Sequence, residues 1–412
     1  MYHTEKGVTT LAVSSVSRAK RKVNWLPWLL LLGIAVIIIG RIIYLYSLDP
    51  RFNTAFFLRA FIESVKLGSL YALIALGYTM VYGIIRLINF AHGEVFMVGA
   101  FMTYFFFTFT PYPWFISAIY AAIIAYGSMR VLEFFRGSMR DPLVLAAGGV
   151  IFIGLTVLVS SITFPFWLAL ICSMIFTGVL GIVIDRVAYF PLRTAPRNSL
   201  LITAIAVSFL LQNLGLLVFT NRQTPFRPDT PLIQPLQLTV GNGQVFSNWL
   251  LLAIPLITAI LVVVLTLFVN RTRLGKAMRA SAQDAETAQM MGVSVNKVIA
   301  TTFLLGSMLA AAGGAMWGLN FGSLNQPAIL GILPGIKAFS AAVIGGIGSL
   351  PGAVIGAIII GFLENFTTAI FPKTATFQGV TEFKDTFAFI LLIIVLLVRP
   401  SGIVGEDLSE KV

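Results

Sequence analysis

The sequence predicts an all-α fold, a polytopic transmembrane helical bundle in which about 10–12 helices cross the bilayer. Three observations predict this fold. Of the 412 residues, 58% are hydrophobic and only 11% are charged, a composition outside the range of soluble domains. Several uncharged stretches reach the roughly 20 residues that cross a bilayer core. No alternating strand pattern accompanies them, so the backbone has to be hydrogen-bonded within helices.

Twelve apolar segments account for this prediction, and the last is short. Pro111 and Pro113 mark a tight turn inside one long apolar run, which divides it into two helices. The predicted helices cover residues 26–46, 60–88, 94–110, 113–129, 143–164, 165–184, 199–220, 249–269, 298–320, 333–349, 351–371 and 386–399.

The amino terminus begins with about 22 polar residues that include four basic side chains close to the first apolar segment. No small-residue cleavage site follows that segment, so we expect an uncleaved anchor helix whose start is cytoplasmic. Lys and Arg total 28 against 16 acidic residues, a net charge of +12. Because the basic residues concentrate in linkers, the charge indicates positive-inside topology and not nucleic-acid binding.

If the amino terminus is cytoplasmic, every second helix should end in a cytoplasmic linker. These linkers are basic, and Arg86 belongs to the first of them. The polar, basic island at residues 271–297 then lies in the cytoplasm. Residues 221–248, rich in Pro, Thr, Gln and Asn, fall outside. They are a candidate surface for an external partner, and the alternative is a plain connecting loop.

Enzymatic and metal chemistry find little support. No G-x-x-x-x-G-K-[ST] loop occurs, because Gly275-Lys276 is followed by Ala277, so the chain is not expected to hydrolyse ATP. His3 and His92 are the only histidines, and neither has a second ligand at metal spacing. We therefore predict no catalytic residue, no metal site and no bound cofactor.

The peptide INFAHGE places Asn89, His92 and Glu94 at a helix junction. Polar side chains between two apolar helices are candidates for a gate or a part of a substrate path. Simple capping of a loop is the alternative, and spacing alone does not separate the two.

Among the few charged residues in or near the predicted spans, Lys337 and Glu364 are the better candidates for a functional role. A charge at membrane depth normally faces protein or water and marks a pathway, and snorkelling at a helix end is the alternative. Gly345, Gly346 and Gly348 interrupt the neighbouring helices. Dense glycines permit broken helices around a substrate path, or tight packing alone.

Within the island, residues 281–292 read as one short helix. Ala282, Ala285 and Ala288 form a small-residue stripe suited to docking in a partner's groove, and Gly292 closes the helix. Asp284 and Glu286 are among the polar residues that would set the register of docking. A solvated amphipathic loop is the default alternative.

Four longer segments resemble one known family. They are LGSLYALIALGYTMVYGIIRLINFAHGEVFMVGAF, DRVAYFPLR, RTRLGKAMRASAQDAETAQMMGVSVNKVIATTF and KAFSAAVIGGIGSLPGAVIGA. Together they closely resemble the permease subunit of branched-chain amino-acid ABC importers, over most of residues 55–112 and 165–405.

The resemblance implies a complex in the bacterial inner membrane, with a second homologous permease, two cytoplasmic ATPases and an extracytoplasmic binding protein. ATP is then used by the partner subunits, and the island is the coupling segment that contacts an ATPase. Residues 286–292 resemble the E-A-A-x-x-x-G motif of importer permeases. Thr287 replaces the middle alanine, and the downstream I-x-L-P portion is missing.

The resemblance also predicts the domain organisation. Residues 1–54 are an amino-terminal extension with one extra transmembrane helix, residues 55–405 form the permease domain, and residues 406–412 are a tail. Residues 113–164 are a two-helix insertion in that domain.

The implied function is alternating-access import of branched-chain or other hydrophobic amino acids. A related importer of urea or short amides is the first alternative, and a stand-alone channel or secondary transporter is the second.

Overall fold

The computed structural model describes residues 36, 39–47, 52–108, 118, 121, 122, 125, 126, 129, 142–161, 164–193, 195–219, 221–240, 243–372 and 383–405. The chain divides into two compact units, Met1–Tyr44 and Leu45–Val412. In the first, residues 39–44 are helical. Most of the predicted helices 26–46 and 113–129, and the whole tail 406–412, lie outside the described residues.

The second unit is mostly helical, and short connections join most of its helices. Their bounds are α1 Thr54–Ile85, α2 His92–Phe107, α3 Pro142–Ser161, α4 Phe166–Ile184, α5 Arg197–Val218, α6 Leu250–Arg271, α7 Arg273–Gln283, α8 Ala285–Met290, α9 Val295–Phe321, α10 Pro327–Gly345, α11 Leu350–Ile370 and α12 Lys384–Val398. A π-helical turn, Asp185–Tyr189, and two 3₁₀ turns, Phe190–Leu192 and Pro231–Ile233, complete the helical structure of the described residues.

Each predicted apolar segment after residue 60 that lies in the described residues coincides with a helix. Seven helical spans there are long and apolar enough to cross a membrane. The helix α2, with 16 residues, and α12, with 15, are shorter than a bilayer requires. The polytopic helical prediction is confirmed, and the total of 10–12 crossings stays a prediction.

Two small antiparallel sheets interrupt the all-α pattern at one end of the bundle. Strands β2 (Pro235–Val240) and β3 (Gly243–Asn248) form a hairpin in the segment expected to be a loop. Strand β1 (Thr224–Pro225) pairs with β4 (Ser323–Leu324), which follows α9. The hairpin is held to the bundle because Val245 packs with Ala55 of α1 and Leu251 of α6. We call this the hairpin end.

The helix α1 is the centre of the bundle. Its residues from Leu70 to Leu76 are all inaccessible to solvent, which a helix achieves only when other helices surround it. Close approach to α11 depends on glycine: a Cβ on Gly361 would lie 2.3 Å from the backbone nitrogen of Gly68. Neighbouring helices thus pack against α1 at backbone distance.

The opposite end of the bundle collects those basic linkers that lie in the described residues. Arg86, after α1, lines the same cavity as Asp284 of the island and Leu200 of α5. Arg193, after α4, donates a hydrogen bond of 2.5 Å to Asn296 at the start of α9. We call this the basic end. The predicted basic linker at residues 130–140 lies outside the described residues.

Candidate functional site

The junction between α1 and α2 is folded back into the bundle. Arg86 ends α1 in the left-handed region, with φ of 55°, and residues 86–91 are not helical. The next helix starts at His92. A Cβ added to Gly77 of α1 would lie 2.0 Å from His92 Nε2, so the imidazole ring fills the space that a side chain at position 77 would need. Gly77 precedes the end of α1 by about 12 Å of helix. Helix α2 therefore begins inside the bundle and not at its surface.

The side chains of Asn89 and His92, in this junction, are both buried. Tyr189 donates its hydroxyl proton to Asn89 Oδ1 across 2.7 Å, which ties the junction to the π-helical turn after α4. The His92 ring packs edge-on against Tyr78, with centroids 4.9 Å apart. Its Nε2 has no hydrogen-bond partner within the described part of the chain. Because both side chains are buried, they do not cap a solvent-exposed loop. Their role in a gate for the substrate stays a prediction.

Glu94 is the residue of this group whose surroundings are most unusual. Its side chain is buried, with 1% of the residue exposed. Gln212 Nε2 donates to Oε1 across 2.8 Å, and Ser208 Oγ lies 3.4 Å from the same oxygen. The other oxygen, Oε2, accepts no hydrogen bond from any described residue. Glu94 thus carries one anchored and one open carboxylate oxygen.

The carboxylate of Glu94 borders a cavity of about 270 Å³ between α2, α5 and α10. Gly331 of α10 makes room for it, since a Cβ there would lie 2.0 Å from Oε2. Most of the wall is aromatic or aliphatic, formed by Tyr78, Phe90, Ile205, Phe209, Ile332, Ile336 and Phe339, and the remaining lining residues are Gly93, Ser208, Gln212, Gly331 and Gly335.

Lys337 and Glu364 form a buried ion pair, and they are 5% and 6% exposed. Lys337 Nζ lies 2.8 Å from Glu364 Oε1 and 2.6 Å from Asp385 Oδ1 of α12. Tyr71 of α1 donates to Glu364 Oε2 across 2.7 Å. The snorkelling alternative is wrong because both charges face protein. The pair joins α1, α10, α11 and α12 and does not line the Glu94 cavity, so a role in a substrate path stays a prediction.

Two of the three glycines at the end of α10, Gly345 and Gly346, make close backbone contacts. A Cβ on Gly345 would lie 1.9 Å from the Gly352 carbonyl oxygen, and one on Gly346 would lie 2.5 Å from the Gly405 nitrogen. Gly346 and Gly348 have φ of 107° and 100°, which side chains rarely adopt. The packing alternative accounts for Gly345 and Gly346, and a path role for the three stays a prediction.

The island contains two helices, and the prediction of one helix at residues 281–292 is wrong. Helix α7 ends at Gln283, and α8 begins at Ala285 after an extended Asp284. Asp284 Oδ1 accepts hydrogen bonds from the backbone N–H groups of Glu286 and Thr287, at 3.0 and 3.1 Å. An aspartate that caps a new helix in this way breaks the preceding one.

Both ends of α8 are capped by side-chain or backbone hydrogen bonds. The Thr287 hydroxyl donates to Asp284, and this bond with the backbone N–H bonds lowers the pKa of the Asp284 carboxyl. At the other end, Gly292 has φ of 86°, and the Val293 N–H donates to the Ala288 carbonyl. These are the features of a Schellman motif, so the prediction that Gly292 closes the helix is confirmed.

The predicted alanine stripe is not a free docking face. Ala288 is buried against the chain itself, while Ala282 and Ala285 line the cavity at the basic end. The three alanines do not form one helical stripe because the break at Asp284 removes the common helical axis, and their role in docking a partner stays a prediction. The most exposed large apolar side chains of the island are Met290 and Met291, at 80% and 81%, and Glu286 of α8 is also exposed.

Sequence reasoning missed Ser208, Gln212, Gly331, Met290 and Met291. One signal for the first two was available, because Ser208 and Gln212 are polar residues at i, i+4 in an otherwise apolar helix. No comparable signal marks Gly331, whose role depends on which side chain reaches it from another helix. Among the described residues, no group of three or more His, Cys, Asp or Glu side chains is arranged to hold a metal ion.

Comparisons with known proteins agree on one family. The family described as branched-chain amino acid transport system, permease component, matches residues 61–396. The high-affinity branched-chain amino acid transport system permease protein BraD of Pseudomonas aeruginosa is 37% identical over 360 residues, which cover 86% of this chain and 98% of BraD. The corresponding LivH of Escherichia coli is 37% identical, covering 87% and 98%. No solved structure matches the chain significantly.

Proposed function

Because the chain belongs to the family of branched-chain amino acid transport system permease components, we propose that it is the permease subunit of an ATP-driven importer. It carries branched-chain or other hydrophobic amino acids across a bacterial inner membrane by alternating access. The 37% identity to BraD and LivH over nearly their whole lengths supports this substrate class. ATP is used by separate subunits, and this chain binds no cofactor.

The observation that carries the coupling to an ATPase is the exposed tip of the island. Met290 and Met291 project from α8 at the basic end, and large exposed apolar side chains of this kind mark protein interaction sites. Positive-inside charge places the basic end in the cytoplasm, where an ATPase is available. We call Met290, Met291 and Glu286 the coupling tip.

The coupling tip is attached rigidly enough to transmit a displacement. Arg279 Nη1 donates to the Val269 carbonyl across 2.6 Å, so α7 is bonded to the end of α6. A Cβ on Gly275 would lie 2.2 Å from that carbonyl oxygen, which shows how closely α7 approaches α6. The Schellman bond from Val293 closes α8 two residues before α9 begins, so the connection between the two helices is short. Movement of the tip would therefore reach two membrane-spanning helices.

The remaining partners follow from the same assignment. The full importer contains a second homologous permease, two cytoplasmic ATPases and an extracytoplasmic binding protein. The apolar outer faces of α5 and α6 suit the lipid bilayer and the second permease. At the hairpin end, a cavity of about 480 Å³ lined by Arg59, Glu63, Lys66 and residues of β3 supports docking of the binding protein. With the basic end inside, the amino terminus is cytoplasmic.

The double variant Met290→Ser, Met291→Ser tests the coupling tip. Loss of two exposed apolar side chains removes the apolar contact with the ATPase and leaves the fold of this chain intact. We expect recovery of the ATPases with the tagged permease from membranes to fall by about tenfold or more. The matched control is Val150→Ser, an exposed apolar residue of α3, a helix to which no partner is assigned, and it should leave ATPase recovery unchanged. Undiminished recovery of ATPases with the methionine variant would contradict the docking proposal.

A further inference from the structure

We propose that the Glu94 cavity binds the α-ammonium group of the transported amino acid, with Glu94 Oε2 as the acceptor and the apolar walls around the side chain. This inference rests on the proposed function, because it assumes that the substrate is a hydrophobic amino acid. It adds a binding site and the chemistry by which that site recognises its ligand.

The first argument is the state of the carboxylate. Removing a carboxylate from water costs several kcal/mol unless charges or hydrogen bonds compensate for it. The other two buried carboxylates of the described residues have basic partners, since Asp185 pairs with Arg193 at 2.5 Å and Glu364 with Lys337 at 2.8 Å. Glu94 has no such partner, and no lysine or arginine lines its cavity. The missing complement is a cation with N–H donors.

The second argument is the way in which the carboxylate is presented. Gln212 and, more distantly, Ser208 hold Oε1 from α5, which fixes the orientation of the group. Oε2 is buried against Gly331, in the space that a side chain there would fill, and it accepts no hydrogen bond from any described residue. A carboxylate that is fixed through one oxygen and unpaired at the other is the arrangement expected for an ammonium ligand, which donates up to three hydrogen bonds.

The third argument is the size and character of the walls. Ligand sites are mostly apolar cavities of roughly 300–1,000 Å³ with a few placed polar groups. At about 270 Å³ the Glu94 cavity lies just below that range, which suits a ligand as small as a single amino acid. Phe209, Ile336 and Phe339 offer contacts to a branched aliphatic side chain. Urea would leave these surfaces without a complementary group.

The fourth argument is position. Glu94 is in the first turn of α2, the helix that begins inside the bundle, and many secondary transporters bind substrate at the ends of interrupted helices. Ile205, Phe209, Ile332 and Ile336 of the wall are also partly exposed on the outside of the chain. The cavity is thus accessible from the faces of α5 and α10 and is not sealed in the core.

The test is direct binding of radiolabelled leucine to the detergent-purified importer without its binding protein. Two competitors separate the groups of the ligand: 3-methylbutan-1-amine keeps the ammonium and the branched chain, and 4-methylpentanoate keeps the branched chain and the carboxylate. For the wild-type importer we expect the amine to compete with leucine and the acid to compete at least about tenfold less well.

Glu94→Gln should weaken leucine binding by about tenfold or more and abolish competition by the amine, because the variant keeps the shape and loses the charge. Asp229→Asn is the matched control, since Asp229 is an exposed carboxylate at the hairpin end. It should bind leucine as the wild type does. Co-purification of the ATPases with each variant reports that the importer is still assembled.

Leucine binding by Glu94→Gln at wild-type affinity, or equal competition by the acid and the amine, would overturn this inference and leave the proposed function standing. A wild-type importer that takes up urea but neither binds nor takes up leucine would overturn both.

Discussion

At the scale of single residues, two buried acidic groups differ in how the chain compensates for them. Glu364 shares Lys337 with Asp385 and accepts a hydrogen bond from Tyr71, so its charge is balanced within the chain. Glu94 has amide and hydroxyl partners on one oxygen only. The first carboxylate is paired within the chain, and the second has one oxygen without a partner in the described residues.

Gly331→Ala should impair transport without removing any polar group. The new Cβ would lie 2.0 Å from Glu94 Oε2, so the carboxylate has to shift or lose its open position. We expect leucine uptake to fall by about tenfold or more, since positioning errors of this size are costly. Gly149→Ala in α3 is the matched control, because nothing lies within 4 Å of its Cβ position. Normal uptake by Gly331→Ala would argue against an essential open Oε2.

Lys337→Met should destabilise the protein by about 3–5 kcal/mol, because it leaves Glu364 buried and unpaired. The second variant, Lys337→Met with Glu364→Met, removes both charges and should recover much of the lost thermal stability in detergent. Lys384→Met is the control: its ammonium is half-exposed and 3.9 Å from Glu364, so its loss should cost about 0–1 kcal/mol. Equal melting temperatures for the single variant and the wild type would show that the pair carries no stability.

At the scale of elements, the island shows how one side chain divides a helix. An alanine-rich stretch favours continuous helix by intrinsic propensity, but Asp284 caps the N–H groups of Glu286 and Thr287 and starts a new helix. The new helix ends at the exposed Met290 and Met291. If the coupling tip contacts an ATPase as proposed, the contact should depend on the capping geometry as well as on the methionines.

Asp284→Ala should weaken ATPase recovery because α8 loses its amino-terminal cap, whereas Asp284→Asn keeps an acceptor and should retain most of it. The sign of the pH dependence follows from the lowered pKa of Asp284. The charged cap contributes its full stability above the carboxyl's unfolded pKa, and this contribution is lost as pH falls through the folded pKa. Co-purification of the ATPases across a pH series measures both effects. Equal recovery with the alanine variant would show that the cap is dispensable.

The elements also show what could be predicted from sequence. Apolar length predicts α4, α5, α6 and α9 well, because a span needs about 20 apolar residues whatever surrounds it. The return of the chain before α2 was not predictable, since it depends on Gly77 and Gly306 leaving space for His92. Glu94 was singled out as a charge near an apolar helix, but its partners on α5 and α10 are separated from it by more than a hundred residues.

At the scale of the whole molecule, the two ends of the bundle are chemically different. Arg86, Arg193 and the island gather at the basic end, and the β2–β3 hairpin lies at the other. The central helix α1 joins the ends, and the Glu94 cavity lies between them. This polarity is what an importer needs, because the energy source and the substrate supply are on opposite sides of the membrane.

The measurement that tests the central claim most directly is ATP-driven uptake into proteoliposomes that contain this chain with its second permease, the ATPases and the binding protein. Leucine and urea are compared in parallel, with and without ATP in the compartment that faces the ATPases. The account predicts ATP-dependent accumulation of leucine and none of urea. Accumulation of urea without leucine, or leucine uptake that proceeds equally without ATP and without the ATPases, would contradict it.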